Sequence, residues 1–207
     1  MKRDARSIES LYTDIEWALS QGLPQRELVP MLQRLVRAAE PSSAYAVYAK
    51  RQLAELIVQS SPFRAARLAT EVLDVQVCDR AYAVLGLAHL LLGNFRLAEQ
   101  AYRSALALMP HCPWYAHNLG HLLDVGRNQP RAALPFLRMA RRLLPHEPEI
   151  AGSFAHALVR NGEVDEAWPH LLEAMRDDPA RARALLDEWR AESGNVQPEA
   201  RPSAQRR

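Results

Sequence analysis

The sequence predicts an all-α fold, a right-handed α-solenoid of stacked antiparallel helix pairs. Runs of alternating β-branched residues are scarce, while alanine, leucine and arginine dominate long segments suited to helix. Three stretches, 81–110, 115–145 and 150–179, also align with one another column by column. A repeat of that length points to a solenoid, in which each unit buries its apolar face against its neighbours.

The columns have physical reasons. Leu85-Gly86 pairs with Leu119-Gly120 and Phe154-Ala155 on the first helix of each unit. On the second helix, Ala98, Ala133 and Ala167 fall 35 and then 34 residues apart, as do Tyr102, Leu137 and Leu171, and Ala105, Ala140 and Ala174. Small residues let the paired helices approach, and bulky ones fill the space around them. Gly93 and Gly162 supply the left-handed residue that ends a first helix. Pro110, Pro145 and Pro179 are expected to stop the second helices. Pro135 and Pro169 fall early in a second helix, where a missing N–H has no intrahelical partner to lose. The extra residue of the second unit is assigned to its turn, residues 126–131.

These columns resemble the tetratricopeptide repeat family, whose 34-residue unit carries Leu-Gly on helix A and Ala, an aromatic, Ala and Pro on helix B. The chain then divides as follows. Residues 8–41 form an N-terminal helical hairpin or degenerate repeat, with Glu16 in the small-residue column. Residues 47–78 form a degenerate repeat, with Leu53-Ala54 in the Leu-Gly column and Thr70 in place of an aromatic. Three clear repeats follow at 79–112, 113–147 and 148–181. A capping helix at 182–193 presents Leu185, Leu186 and Trp189 on one face, and residues 194–207 are expected to be a flexible basic tail.

Composition removes several function classes. Lys and Arg number 26 against 24 Asp and Glu, a balance that gives nucleic-acid binding no support from charge. The two cysteines, Cys78 and Cys112, form no CxxC pair and read as structural residues of a reduced cytoplasmic protein. No apolar leader follows the charged N-terminus, and the longest apolar run, 83–93, is too short to span a bilayer, so membrane insertion is not expected. No G-x-S-x-G elbow or GxxxxGK loop occurs, and the chain reads as a non-enzyme without cofactors. The arginine bias over lysine suggests a GC-rich bacterial genome.

His117 and His121 lie four apart, with Asp124 on the same helical side, and that spacing suits two ligands of a metal site. No HExxH or CxxC element supports it, so no metal is assigned. The resemblance implies that a concave groove binds the partner, and its map places Arg51, Glu55, Leu87, Leu91, Trp114, His117, His121, Asp124, His156 and Arg160 there. Trp114 is the expected anchor, whereas Trp17, Trp168 and Trp189 read as core. The family's clamp for acidic tails is matched only at Asn118, with Glu149 and Ser153 where its basic pair would stand. The expectation is a protein-interaction adaptor, scaffold or chaperone of a bacterial cytoplasmic complex that holds a partner peptide or helix. The terminal helices are candidates for homodimer contacts. Two alternatives stand beside it: a metal site on His117, His121 and His156, and RNA binding through Arg138, Arg141, Arg142, Arg181 and Arg183.

Overall fold

The computed structural model describes residues 2–194, and among them there is no strand. Eleven α-helices run in order: α1 Lys2–Ser20, α2 Gln25–Ala38, α3 Ala44–Ile57, α4 Pro62–Leu73, α5 Asp79–Leu91, α6 Phe95–Leu108, α7 Pro113–His121, α8 Pro130–Leu143, α9 Pro148–Arg160, α10 Val164–Ala174 and α11 Pro179–Gly194. A π-helical segment, Leu122–Gly126, continues α7. Each odd-numbered helix from α1 to α9 packs on the even-numbered one that follows it, and successive pairs stack, with α11 packed on α9 and α10. The architecture is an all-α helical-repeat solenoid.

The repeat columns build the core. Ala98, Tyr102, Ala133, Leu137, Ala167 and Leu171 are all buried. Gly86 is required by close approach: a Cβ there would stand 2.4 Å from the Tyr102 ring, itself buried and unable to retreat. Gly120 occupies the same column, where a Cβ would stand 2.6 Å from Leu137 Cγ. Gly93 and Gly162 take left-handed φ values of 74° and 82°, and the Asn94 N–H and Glu163 N–H close back onto His89 O and Leu158 O.

Several expectations need correction. The extra residue of the second unit sits in the helix rather than in the turn. The left-handed position moves to Asn128, φ 53°, which is 35 residues after Gly93 and 34 before Gly162. The insertion therefore lies between Gly120 and Asn128, where the wider i→i+5 turn absorbs it and the Arg127 N–H reaches Leu122 O at 2.9 Å.

Pro135 and Pro169 are each the sixth residue of their helix, beyond the free first turn, so each removes one backbone bond. Pro30 is also the sixth residue of α2. All three are exposed, so the carbonyls they leave unpaired face water. Pro179 opens α11 rather than stopping α10: the chain turns through Arg176 and Asp177, both at positive φ, and the Asp178 carboxylate accepts from the Ala180 and Arg181 N–H groups at 3.1 Å. Helix α1 begins at Lys2 instead of 8, and α11 begins three residues before 182. Gly194 ends α11, and the remainder of the expected tail lies outside the described residues. Trp17 is not core. It is 61% exposed on α1, the first described helix, which among the described residues packs on α2.

Candidate functional site: the concave face

Neighbouring odd-numbered helices touch across the stack, α3 with α5, α7 with α9 and α9 with α11, so they line the inner curve. Two recesses open on that face, with α7 contributing to both.

The first recess, about 260 Å³, lies among α3, α5 and α7. Its floor is apolar, with Val58, Ala83, Val84 and Leu87. Its charged walls are paired within the protein. Arg80 bonds Glu55 and also reaches Gln52 Oε1 at 3.2 Å. Tyr115 donates to Asp79 Oδ2 at 2.8 Å. Burial pushes the Glu55 carboxyl above its ordinary value, with Arg80 opposing that shift. Arg51 lies 5.8 Å from the Tyr48 ring centre, a cation-π contact.

The second recess, about 220 Å³, is bounded by His121, Val125, Gly152, Ser153, His156 and Trp189. Beneath it lies an ionic cluster on Asp124, which is 1% exposed. His156 Nδ1 contacts one carboxylate oxygen at 2.5 Å, and Arg160 donates to the other at 2.9 Å. Arg160 also donates to the Asp124 carbonyl and to Asn128 Oδ1. Trp189 of α11 meets His156 edge-on, ring centres 4.8 Å apart, which brings the last helix to the wall of the recess.

A ladder of rings runs along α7. Trp114 sits edge-on to His117, and His117 stacks on His121, with ring centres 6.0 Å apart in each case. His117 Nε2 shares a hydrogen bond with Ser153 Oγ at 2.9 Å, while its Nδ1 is buried with no hydrogen-bond partner among the described residues. Desolvation pulls the His117 imidazole below the ordinary histidine value, with Glu149 opposing, and does the same at His121, with Asp124 opposing. Burial thus disfavours the charged form of the His117 imidazole.

Arg51, Glu55 and Leu87 thus sit at or beside the first recess, and His121 and His156 at the second. Leu91 and Trp114 are exposed, at 44% and 41%. His117 and Asp124 are not open groove residues, as sequence alone had them. The π turn leaves Asp124 facing α9, whose His156 and Arg160 take up its carboxylate, and Ser153 covers His117. His117 is bonded to Ser153 and His156 to Asp124, and among the described residues no group of three His, Cys, Asp or Glu is arranged to hold a metal. Of the arginines considered for RNA, Arg138 and Arg141 pair with Glu166 and Glu173, and Arg183 lies over Trp168. Cys78 and Cys112 are free thiols at the starts of α5 and α7.

The sequence reading omits Arg80, Tyr115 and Asn128 from this face. Asn128 carried a usable signal, because it stands in the column of Gly93 and Gly162 once a 35-residue step is allowed. Partners such as Arg80 and Glu55 are 25 residues apart, and no local pattern marks them.

No helix among the described residues is long and apolar enough to cross a membrane. No protein-family model matches the chain. No curated protein matches it. Solved structures of MamA share its fold. The structure titled MamA 41-end from Desulfovibrio magneticus RS-1 has a TM-score of 0.68 at 18% identity, covering 84% of this chain and 96% of that one. MamA of MSR-1 has a TM-score of 0.62 at 20% identity, with coverages of 91% and 98%. MamA of AMB-1 has a TM-score of 0.64 at 19% identity, with coverages of 86% and 100%. At these identities the likeness establishes a shared helical-repeat fold over most of each chain.

Proposed function

We propose that the chain is a non-catalytic scaffold whose concave face holds an apolar segment of a protein partner, as an adaptor or chaperone of a bacterial cytoplasmic complex. One observation carries this reading. Three sets of charged groups on the inner face are engaged within the protein, Arg80 with Glu55, Asp79 with Tyr115, and Asp124 with His156 and Arg160, while Glu55 Oε1 and Arg51 Nε have no hydrogen-bond partner among the described residues. Leu87, Ala83, Leu91 and Trp114 remain available around them. A highly charged ligand would have to displace those pairs, whereas an apolar helix or extended segment would not. Repeated stacking already gives the face its rigidity, so little ordering of the receptor opposes binding.

The test compares wild type with Trp114→Ala/Leu87→Glu, after circular dichroism shows both to be equally helical. Partners retained from a native extract are identified, and the binding segment of the main one is mapped with synthetic peptides. The reading expects a segment rich in aliphatic or aromatic residues that binds wild type and loses at least tenfold in affinity to the variant. Equal binding to both proteins, or a strongly acidic binding segment, would sink it.

A further inference from the structure

The outer face carries a cleft that the inner-face reading does not use. It lies between α6 and α8, with a volume of about 490 Å³, and its floor is built from Leu106, Ala107, Pro110, Phe136 and Met139. The neighbouring interval, between α8 and α10, is spanned by two ion pairs, Arg138 to Glu166 and Arg141 to Glu173. No pair between α6 and α8 closes the cleft in that way among the described residues; Arg103 instead stacks on Phe136 at 5.6 Å from the ring centre. The lining residues 103, 106 and 107 follow helical spacing, so Arg96 lies on the same stripe of α6, one heptad before Arg103. Arg142 flanks the stripe on α8. Both are exposed and have no acidic partner among the described residues. The cleft is apolar at its floor, and its rim carries Arg96 and Arg142 beside Arg103, which is also paired with Glu99 at 2.9 Å.

The complementary surface is on the same molecule, on α1, the first described helix. Residues 7–20 of α1 hold three acids, Glu9, Asp14 and Glu16, and no base. Its outward stripe centres on Trp17, exposed at 61%, with those three exposed acids around it. Glu16 accepts from Tyr48, and Glu9 and Asp14 have no basic partner among the described residues. A bulky aromatic in an acidic surround matches an apolar cleft in a basic one, with the indole as anchor and the charges setting orientation.

We propose that this cleft receives the Trp17 face of α1 from a second copy of the chain. The two surfaces are different patches, so the contact is head-to-tail. It does not close as a two-fold dimer, and each copy keeps one free end.

Sedimentation velocity on the full chain tests this with two substitutions of exposed residues, Trp17→Ala on α1 and Ala107→Glu in the cleft. Circular dichroism first confirms that both variants keep wild-type helicity. Wild type should sediment faster as its concentration rises, and less so at high salt, which screens the charged rim. Each variant alone should remain monomeric. Their equimolar mixture should form a dimer and stop there, because one intact α1 face and one intact cleft remain between them. The proposal is overturned if wild type stays monomeric throughout, if either variant alone still assembles, or if the mixture does not dimerise. A monomeric wild type whose heterologous partner is lost on Ala107→Glu would give the cleft to another protein and equally overturn it.

Discussion

Asp124→Ala measures how far the inner face depends on its buried ionic cluster. The carboxylate is 1% exposed and engages both His156 and Arg160, whose side chain is 17% exposed. Removing one partner of a buried pair costs about 3–5 kcal/mol, chiefly because the other charge is left desolvated. Arg160 keeps Asn128 and partial access to water, so the lower end applies, about 3 kcal/mol. For a domain of this size that loss lowers Tm by about 6–12 °C. Urea titrations of wild type, Asp124→Ala, Arg160→Ala and the double variant, followed by far-UV circular dichroism, give the cost and the coupling. The coupling should be about 1–3 kcal/mol. A single-variant loss below about 1 kcal/mol is what an exposed ion pair gives, and it would refute the claim that Asp124 is a scaffold group.

Two glycines in helix A columns should respond with opposite signs. Gly86→Ala drives a Cβ to 2.4 Å from the Tyr102 ring, and overpacking of about 1–3 kcal/mol outweighs a helix gain of about 1 kcal/mol, so its urea midpoint should fall. At Gly152 the nearest atom would be Ala174 Cβ at 3.5 Å, so Gly152→Ala should raise the midpoint by up to about 1 kcal/mol. Stability should also decline on acidification. The His117 and His121 values lie below 6.5 in the fold, so as pH falls through 6.5 the unfolded chain takes up protons first. The contribution is present above that pH and lost below it, and His117→Gln should flatten the slope of denaturation midpoint against pH. Trp114→Ala alone should change stability by less than about 0.5 kcal/mol, as an exposed residue does, yet weaken the groove partner by about 2 kcal/mol in calorimetric titration.

Spacing in the sequence carried the repeat because packing geometry dictates it. Ala98, Ala133 and Ala167 must be small, Tyr102, Leu137 and Leu171 must be large, and both demands recur once per helix pair. The inner face was legible only in outline. Which residues belong to it follows from helix phase, but whether each points at a ligand or at a neighbour depends on residues far away in sequence. Asp124 appeared open by phase and is sealed by residues 32 and 36 positions downstream. His117 is covered by Ser153 in the same manner. Trp17 shows the converse: an aromatic in a helical pattern reads as core, but among the described residues this one stands 61% exposed on α1.

The π turn at Leu122–Gly126 has a counterpart in the physics of crystals. A single residue inserted into a continuous α-helix rotates everything beyond it by about 100°. Spread through an array, that rotation would turn the small-residue column away from its partner helix. Here the mismatch is confined to five residues, as the misfit of a dislocation is confined to its core, and the columns regain their phase from Asn128 onward. The ordered stacking on either side is preserved, and the defect itself is decorated: the carboxylate it carries is the one that gathers His156, Arg160 and, through Arg160, Asn128. A length change that would scramble a single-core protein is thereby reduced to a local fault that pins one repeat to the next.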